Sequence, residues 1–442
     1  MEKQFNKACA LLLALAASSC ATYKSIYKNG SEAIITVDKA KREHTFYFVG
    51  DAGYFDAVNP TPALKALKEQ LSNAPKNSTV VFLGDNIYPA GMPKEDDETR
   101  KNAEAYLNMQ IDAVSGFKGN VVFIPGNHDW YANDGLEGLK RQEKFIENRL
   151  GKDTFLPEDG CPIKRVEISE NITLLLLDTQ WYLADWDKHP EINEDCGELT
   201  TREAFFDKVR SEIAKANGKT LIIAMHHPLA TNGEHGGRFS FKKNIVPFKS
   251  NIPLPVIGNL ANYLRKTSGA SPQDVNNVHY RTLMQRLKTL AQGNNNIVFV
   301  SGHEHSLQYI IDEGLPVIVS GSGAKTSAAA LGGNGVFASG QQGFVKFTVG
   351  KNQAAKAEYF AEGNSFSQPV FSTEVFKAAD TVYKGALKTG FPPTTIATVY
   401  DSPEGKHGDF YTSFWGKHYR DIYTKPVEAK NVNLDTLYGG LK

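Results

Sequence analysis

The chain has 442 residues, which is long enough for one large domain with an appendage or for two domains. Hydrophobic residues make up 41% of the chain and charged residues 22%, proportions that are typical of a globular protein. Lys plus Arg and Asp plus Glu both number 49, so no basic excess indicates a nucleic-acid surface.

The N-terminus has the pattern of an export signal. Two lysines precede the small, apolar run Ala8–Ala17, which is too short to span a bilayer. The run leads into Ala17-Ser-Ser-Cys20, which resembles a bacterial lipobox. We therefore expect residues 1–20 to be a lipoprotein signal peptide and Cys20 to be lipidated, with a tether over residues 21–43. The chain would then be exported and lipid-anchored in the bacterial cell envelope, on the periplasmic or surface face of the outer membrane. An ordinary cleaved signal peptide with an incidental cysteine is the alternative.

Two cysteines, Cys161 and Cys196, lie in the expected mature part. An exported protein can join such a pair in a disulfide. Their use as metal ligands is disfavoured, because neither lies in a Cys-x-x-Cys spacing.

Short apolar runs alternate with helix-like stretches along the mature part, which predicts an α/β layered core. Strands are predicted, in chain order, at Thr45–Val49, Val80–Leu83, Val121–Pro125, Ile172–Leu177, Leu221–Met225, Asn296–Ser301 and Leu315–Val319, with a closing hairpin of Gly343–Val349 and Lys356–Phe360. Helices are predicted at about 61–73, about 98–114, Leu136–Leu150, Ala204–Ala216 and Tyr280–Ala291.

Three segments lack such a pattern. Residues 151–170 look irregular, and residues 231–278 show little periodicity, so that this long excursion is expected to be functional or mobile. The end of the chain, from about residue 365, is rich in aromatic residues and has no long aliphatic strand. We treat 362–442 as a C-terminal extension of unknown role, which covers the main domain, docks a partner or leads into a longer protein.

Five of the predicted strands are followed directly by polar residues. These motifs are Gly50-Asp51, Gly84-Asp85, Gly126-Asn127-His128-Asp129, His226-His227 and Gly302-His303-Glu304-His305. In open α/β sheets, ligands bind beyond the carboxyl ends of the strands, so the motifs are expected to meet at one edge. Two carboxylates, an amide oxygen, the nearby Tyr88 phenol and several imidazoles can hold two metal ions that share one carboxylate.

These motifs, together with His226-His227-Pro228 and Tyr88, resemble the calcineurin-like metallophosphoesterases over residues 44–361. Many members have a histidine two residues after the first aspartate. This chain has Gly53 there and Tyr88 after Asp85, an arrangement similar to that of the tartrate-resistant, animal-type purple acid phosphatases. The resemblance implies a four-layer α-β-β-α sandwich and an acid-phosphatase-like phosphoric ester hydrolase that uses a metal-activated hydroxide.

Carried onto this chain, the resemblance implies two sets of metal ligands. Asp51, Tyr88 and His305 would hold the first ion, and Asp85 would bridge to the second. The second ion would be completed by Asn127, His226 and His303. A tyrosinate favours Fe(III) at the first position, and Fe(II), Zn or Mn would occupy the other.

The resemblance also implies residues that act on the substrate or support the ligands. His128 would protonate the leaving group or stabilise charge, and His235 would face the substrate, although a solvated loop residue is an equal alternative. Asn86 and His227 would support the ligands from behind. A phosphorylated small molecule or a phosphoprotein is the expected substrate. A phosphodiesterase or nucleotidase on the same site, and a surface binding protein that acts through its C-terminal tail, remain as alternatives.

Overall fold

The computed structural model describes residues 21–28, 42–54, 59–132, 134–186, 190–246, 255–294 and 296–378. The predicted lipidation site Cys20 and most of the aromatic extension, residues 379–442, therefore lie outside the described part of the chain.

The described residues form fourteen strands and eight α-helices. The strands are β1 Ile26–Tyr27, β2 Arg42–Val49, β3 Ser78–Phe82, β4 Asn120–Phe123, β5 Ile163–Ser169, β6 Ile172–Leu177, β7 Thr220–Met225, β8 Ile297–Ser301, β9 Leu307–Asp312, β10 Leu315–Ser320, β11 Gly335–Ser339, β12 Gly343–Gly350, β13 Ala355–Ala361 and β14 Phe371–Phe376. The helices are α1 Pro62–Ser72, α2 Arg100–Ala113, α3 Leu136–Leu150, α4 Thr179–Leu183, α5 Arg202–Lys215, α6 Phe241–Ile245, α7 Pro255–Ser268 and α8 Val278–Ala291.

The strands form two mixed sheets. One has eight strands in the order β1-β11-β9-β10-β8-β7-β6-β5, and the other has six in the order β14-β13-β12-β2-β3-β4. In the six-stranded sheet β2, β3 and β4 run parallel, and in the eight-stranded sheet β6, β7, β8 and β10 do. The parallel strands carry their carboxyl ends to the same side of each sheet, which is what allows distant motifs to meet.

Alternation along the strands divides the core in two. Phe46 and Phe48 on β2 pack in one cluster with Leu174 and Ile222 of the other sheet, so the two sheets lie face to face. The intervening residues, such as Tyr47, face the opposite way and pack in a second cluster that includes helix residues such as Leu64. The fold is thus a mixed α/β sandwich of two sheets flanked by helices, as the sequence analysis predicts.

Several elements differ from the sequence predictions. The region predicted to be irregular contains β5, whose residues are only partly buried and so lack a clear apolar period. The excursion over residues 231–278, for which no helix is predicted, contains α6 and α7. In the predicted C-terminal extension, β14 pairs with β13 and so belongs to the six-stranded sheet. In the predicted N-terminal tether, β1 pairs with β11 of the eight-stranded sheet.

A disulfide joins Cys161 and Cys196, whose Cα atoms lie 5.3 Å apart. It links the segment before β5 to the segment before α5, which are 35 residues apart in sequence. None of the helices in the described part of the chain is both long enough and apolar enough to cross a lipid bilayer.

Candidate metal centre

The predicted ligand motifs meet at one edge of the sandwich, beyond the ends of β2, β3, β4, β7 and β8. Asp51, Asp85 and His303 each have a positive φ, of 56°, 54° and 67°. Non-glycine residues seldom adopt this conformation, and it concentrates at functional sites, where surrounding contacts enforce it. Here it turns the chain sharply as it leaves each strand, so that the side chain and the following backbone both face the site.

One group of donor atoms surrounds the hydroxyl of Tyr88. Its Oη lies 2.9 Å from Asp51 Oδ1, 2.7 Å from Asp85 Oδ2 and 3.0 Å from His305 Nε2. His305 Nε2 is in turn 3.4 Å from Asp51 Oδ1. Two carboxylates, a phenol and an imidazole thus converge on one point.

A second group surrounds the side-chain oxygen of Asn127. Its Oδ1 lies 3.0 Å from His226 Nε2 and 3.1 Å from His303 Nδ1, and the two imidazole nitrogens are 3.3 Å apart. His226 Nε2 is 3.4 Å from Asp85 Oδ1. Each imidazole donates its other N–H to a backbone carbonyl, His226 to Leu83 at 2.8 Å and His303 to Gln273 at 2.9 Å. Such bonds fix the tautomer that leaves a ring nitrogen free to bind a cation.

Asp85 is shared between the two groups, because Oδ2 faces Tyr88 and Oδ1 faces His226. Ligand atoms of Asp51, Asp85 and His226 all lie within 4.8 Å of one another, and all three residues are buried. Two buried carboxylates in contact need cationic partners, because desolvation disfavours their charged forms. The residues present therefore fit a pair of hard or borderline cations bridged by one carboxylate.

The pKa values of the site residues also indicate a place where positive charge is favoured. Burial, together with the charges of Asp51 and Asp85, raises the pKa of Tyr88 well above its ordinary value. Burial disfavours the protonated form of His226, but the charges of Asp85 and Asp51 and the hydrogen bonds to Asp85 and Leu83 together outweigh it and raise the pKa of that imidazole to about 9. A proton on His226 thus compensates part of the negative charge that a bound cation would balance.

Two glycines allow the strand ends to approach closely. A Cβ at Gly53 would lie 2.2 Å from the carbonyl of Asn86, so no larger residue fits at this position without displacing the backbone. Gly84 has a φ of 87°, and a Cβ there would lie 2.6 Å from the backbone nitrogen of Gly126. The chain therefore has no room for a histidine two residues after Asp51, and Tyr88 provides the neighbouring donor instead.

Asp129 supports the second donor group from behind. It is fully buried and accepts hydrogen bonds from the backbone N–H groups of Gly126 at 2.7 Å and Asn86 at 3.0 Å, and from Gln142 Nε2 at 3.0 Å. Asn86 also donates through Nδ2 to Asp129 at 3.1 Å and to the Ile124 carbonyl at 2.9 Å. Asn86 thus lies behind the ligands, as predicted from the sequence, and Asp129 is a support residue that was not predicted.

His128 lies at the open side of the site. Its backbone N–H donates to Asp85 Oδ1 at 2.8 Å, and its ring Nδ1 donates to the Pro89 carbonyl at 2.5 Å. This leaves Nε2 available, 4.0 Å from Asp85 Oδ2, on a side chain that is 28% exposed. The ring packs edge-on against Tyr131, with centroids 5.1 Å apart.

The ring of His227 packs against that of His303, with centroids 4.4 Å apart, but its two nitrogens bond to residues outside the donor groups. It is fully buried, with Nδ1 2.7 Å from Thr179 Oγ1 and Nε2 2.6 Å from Gln273 Oε1. Burial and the neighbouring charge of His226 lower its pKa well below the ordinary value. It is therefore a neutral imidazole that packs behind the site.

His235 lies against the site although it belongs to the long excursion. Its ring packs against that of His303 at a tilt of 32°, with centroids 4.0 Å apart, and its Nδ1 is 2.8 Å from Asp274 Oδ1. Glu304 Oε1 accepts from the His235 backbone N–H at 2.7 Å. Burial opposes protonation, but the hydrogen bond to Asp274 and the charge of Glu304 outweigh it and raise the pKa of His235. These contacts distinguish His235 from a solvated loop residue.

One cation, Lys325, lies at the same edge. Its Nζ is 3.8 Å from the centroid of the Tyr88 ring and 5.2 Å from that of Tyr54, which is 53% exposed. Burial lowers its pKa, although the charges of Asp51 and Asp85 oppose that shift. A half-buried ammonium on the faces of two tyrosines adds a fixed positive charge beside the first donor group.

The residues that were not predicted differ in the sequence signal they carry. Asp129 and Glu304 stand inside recognised motifs, where their position next to ligands could have suggested support roles. Asp274, Gln273 and Lys325 lie in loops, far in sequence from the residues they contact, and no periodicity marks them.

Comparison with known proteins agrees with this architecture. A profile of the calcineurin-like phosphoesterase family matches residues 44–307. Over 252 residues the chain is 23% identical to rat (Rattus norvegicus) tartrate-resistant acid phosphatase type 5, a match that covers 55% of this chain and 60% of the rat protein. The match thus spans less than two thirds of that relative.

Two solved structures are similar at low identity. GAP50, the anchor in the inner membrane complex of Plasmodium, is 17% identical with a TM-score of 0.48, over 83% of this chain and 100% of that one. A purple acid phosphatase from yellow lupin (Lupinus luteus) seeds is 14% identical with a TM-score of 0.49, over 80% of this chain and 57% of that one. Since the family profile matches more than half of its residues, this chain belongs to the calcineurin-like phosphoesterase family.

Proposed function

We propose that this chain hydrolyses phosphoric monoesters at a centre of two metal ions bridged by Asp85. The observation that carries the proposal is that the donor atoms form two groups and that one oxygen of this carboxylate faces each of them. The first ion would be held by Asp51, Tyr88 and His305, and the second by Asn127, His226 and His303.

The composition of the two groups differs, and this suggests different metals. The first contains a phenol whose deprotonated form is a hard anionic donor, which favours Fe(III). The second contains two imidazoles and an amide oxygen, a set that suits Fe(II), Zn or Mn. A pair of unlike ions is the arrangement that we propose.

When bound, the two ions would neutralise the phosphoryl oxygens and lower the pKa of a water molecule to near neutrality. The residues of the chain would then handle the leaving group. His128 has its Nδ1 occupied by the Pro89 carbonyl, so Nε2 is the atom that would give a proton to the departing alkoxide. His235, positioned by Asp274 and Glu304, would contact the substrate from the opposite side.

The proposed preference for monoesters rests on charge. A phosphomonoester carries up to two negative charges near neutral pH, whereas a diester carries one. Lys325 and His235 add positive charge around the two donor groups, which favours the more highly charged substrate. The substrate would be a phosphorylated small molecule or a phosphoprotein.

A comparison of 4-nitrophenyl phosphate with bis(4-nitrophenyl) phosphate tests this preference. The two substrates have the same leaving group. The ratio of their kcat/KM values therefore depends on whether the phosphate is a monoester or a diester. We expect the monoester to be hydrolysed faster. Faster hydrolysis of the diester would assign the site to phosphodiesters or nucleotides instead, and hydrolysis of neither by protein loaded with both metals would overturn the proposed chemistry.

We further propose that the protein is exported and anchored by a lipid on Cys20. The basic and apolar N-terminus supports this, as does the disulfide between Cys161 and Cys196, since disulfides persist in oxidising compartments. Mass spectrometry of the N-terminal peptide from membrane-extracted protein tests it. We expect a diacylglyceryl group on Cys20, and an unmodified peptide would overturn the anchor without affecting the proposed chemistry.

A further inference from the structure

Exposed apolar side chains cluster on α6 and α7. Nine large apolar residues are exposed in the described part of the chain, and four of them are Phe241, Leu260, Tyr263 and Leu264, at 47%, 56%, 63% and 53% exposure. A fifth, Tyr23, is 46% exposed and lies two residues after Ala21. Single exposed apolar residues are ordinary, but a cluster on neighbouring elements indicates a contact surface.

The helix α7 has two distinct faces. Leu260, Tyr263 and Leu264 are spaced i, i+3 and i+4, so they form one stripe along the helix. The other face holds the helix to the domain. Arg265 forms hydrogen bonds with Asp274 at 2.7 and 2.8 Å, and Asn262 Nδ2 donates to Asn244 Oδ1 on α6 at 2.8 Å. The stripe is thus the outward side of a helix that is fixed in orientation.

The start of the described chain lies directly beside this surface. Ala21 is buried, its N–H donates to the Phe239 carbonyl at 3.2 Å, and it forms a parallel bridge with Ser240. The described chain therefore begins, one residue after Cys20 in sequence, beside Ser240 and Phe241. A lipid anchor on Cys20 would join the described chain at this point.

The charges of the two segments have a single sign. Residues 238–246 and 255–268 contain five basic residues and no acidic residue. They are Arg238, Lys242, Lys243, Arg265 and Lys266. A helix with an apolar stripe and basic neighbours is the composition of helices that lie in the interface of an anionic bilayer.

From these observations we propose that the α6–α7 surface, defined by Phe241, Leu260, Tyr263 and Leu264, lies on the lipid bilayer that holds the Cys20 anchor. The apolar side chains enter the boundary between head groups and acyl chains. Lys243 and Arg265 are paired with Glu234 and Asp274, and Arg238, Lys242 and Lys266 are the basic residues that meet anionic head groups. This inference rests on the proposed anchor for its location. It adds that the domain binds the membrane in one orientation and does not hang from a flexible tether.

The surface also backs the metal centre. Arg265 on α7 binds Asp274, which holds His235 against His303. Because α7 is already fixed to the domain by these bonds, contact of its outward face with the membrane would set the orientation of the metal centre relative to the membrane plane.

An environment-sensitive fluorophore on Leu264→Cys tests the proposal in the full chain. Cys161 and Cys196 are joined in a disulfide, so the introduced cysteine is the available thiol in processed protein with a lipid on Cys20. Where Cys20 is unmodified, the label is placed in a chain that also carries Cys9→Ser and Cys20→Ser. The labelled protein is placed with vesicles of phosphatidylethanolamine and phosphatidylglycerol, with and without brominated acyl chains. Lys118→Cys is the matched control, because Lys118 is exposed and lies just before β4, at the opposite end of the strand from the metal centre.

We expect the emission of the label at 264 to shift to shorter wavelength on vesicles and to be quenched by bromine, while the label at 118 changes in neither respect. Adding Leu260→Gln should reduce the quenching at 264. Equal responses at the two positions would overturn the proposal. A short-wavelength emission at 264 without vesicles would also overturn it, because residues 379–442 or another copy would then cover the surface.

The mass of the Cys20 peptide separates this inference from the anchor on which it rests. An unmodified Cys20 together with a bilayer response of the label at 264 would contradict the proposed anchor and support the proposed membrane surface. A lipidated Cys20 without a bilayer response at 264 would support the proposed anchor and contradict the proposed membrane surface.

Discussion

Asp85 Oδ2 lies 2.7 Å from Tyr88 Oη, three residues further along the chain, while Oδ1 of the same carboxylate faces His226 at 3.4 Å. The two oxygens thus belong to different groups of donors. The positive φ of Asp85, three residues after the end of β3, is what turns its side chain into this position. The relationship makes Asp85 the residue on which a binuclear centre depends.

Replacing His128 by Ala should reduce turnover and leave metal content unchanged. The side chain contacts the site at its open face and is not part of either donor group, so only proton transfer or charge stabilisation is lost. We expect kcat for an alkyl monoester such as glycerol 2-phosphate, whose alkoxide needs a proton as it leaves, to fall about 10²–10⁴-fold. His279→Ala, on the exposed side of α8, is the control and should leave kcat unchanged. Loss of metal together with activity would show that His128 is a structural residue.

Replacing Asp129 by Asn should weaken metal binding without touching a ligand directly. Asp129 accepts the backbone N–H groups that orient the Asp85 and Asn127 turns, and an amide cannot accept all of them. Residues that support metal ligands typically contribute about 10–100-fold to metal affinity or activity. Titration of the weaker-bound metal should show this loss, while Asp112→Asn, exposed on α2, should bind metal as the native chain does. Unchanged affinity in Asp129→Asn would contradict the support role.

Replacing Lys325 by Met should impair monoester hydrolysis more than diester hydrolysis. Its ammonium is the cation nearest to Tyr88 among the described cation–aromatic contacts, and a hydrogen bond to a charged group contributes about 1.5–3 kcal/mol. We therefore expect kcat/KM for the monoester to fall roughly 10–100-fold. The control is Lys219→Met, which also removes one positive charge, from an exposed ion pair with Glu167. Equal losses of kcat/KM for the monoester and the diester would show that Lys325 does not distinguish the two substrates by their charge.

The neutral His44 should make stability depend on pH. Burial lowers its pKa to about 4, from an ordinary value of 6.5, so the unfolded chain takes up the proton more readily. The stability contributed by neutral His44 is complete above pH 6.5 and is lost as pH falls towards 4. Between about pH 7 and about pH 5 the loss should be about 2 kcal/mol of unfolding free energy.

His44→Gln is the variant that isolates this effect. Glutamine can keep the hydrogen bond to Thr79 Oγ1, which is 2.9 Å from His44 Nε2, but cannot titrate. Chemical denaturation of both proteins at each pH should show a flatter profile for the variant. Parallel profiles would mean that His44 keeps its ordinary pKa in the folded protein.

The parts of the fold that sequence could predict are those with a regular apolar period. Runs such as Ile172–Leu177 give buried strands, and the polar residues that follow β2, β3, β4, β7 and β8 fall at one edge because parallel strands end on the same side. The metal ligands could be grouped for this reason. Their sorting into two sets came from resemblance, and the geometry gives it a physical basis in Asp85.

The parts that sequence could not predict depend on contacts between distant segments. His235 gains its position from Asp274 and Glu304, which are 39 and 69 residues away. Lys325 reaches Tyr88 from a glycine-rich turn without any periodic pattern. The helices α6 and α7 were missed because their outward residues are apolar, which blurs the contrast between buried and exposed faces that identifies a helix in sequence.

The metal content and visible spectrum of the purified protein test the proposed binuclear centre most directly. Native protein should contain two metal ions per chain and absorb visible light through a charge-transfer transition from Tyr88 to iron. Asp85→Asn should lose both ions, because it removes the ligand that the two groups share. One ion per chain in native protein, or two ions retained in Asp85→Asn, would contradict a centre bridged by this carboxylate.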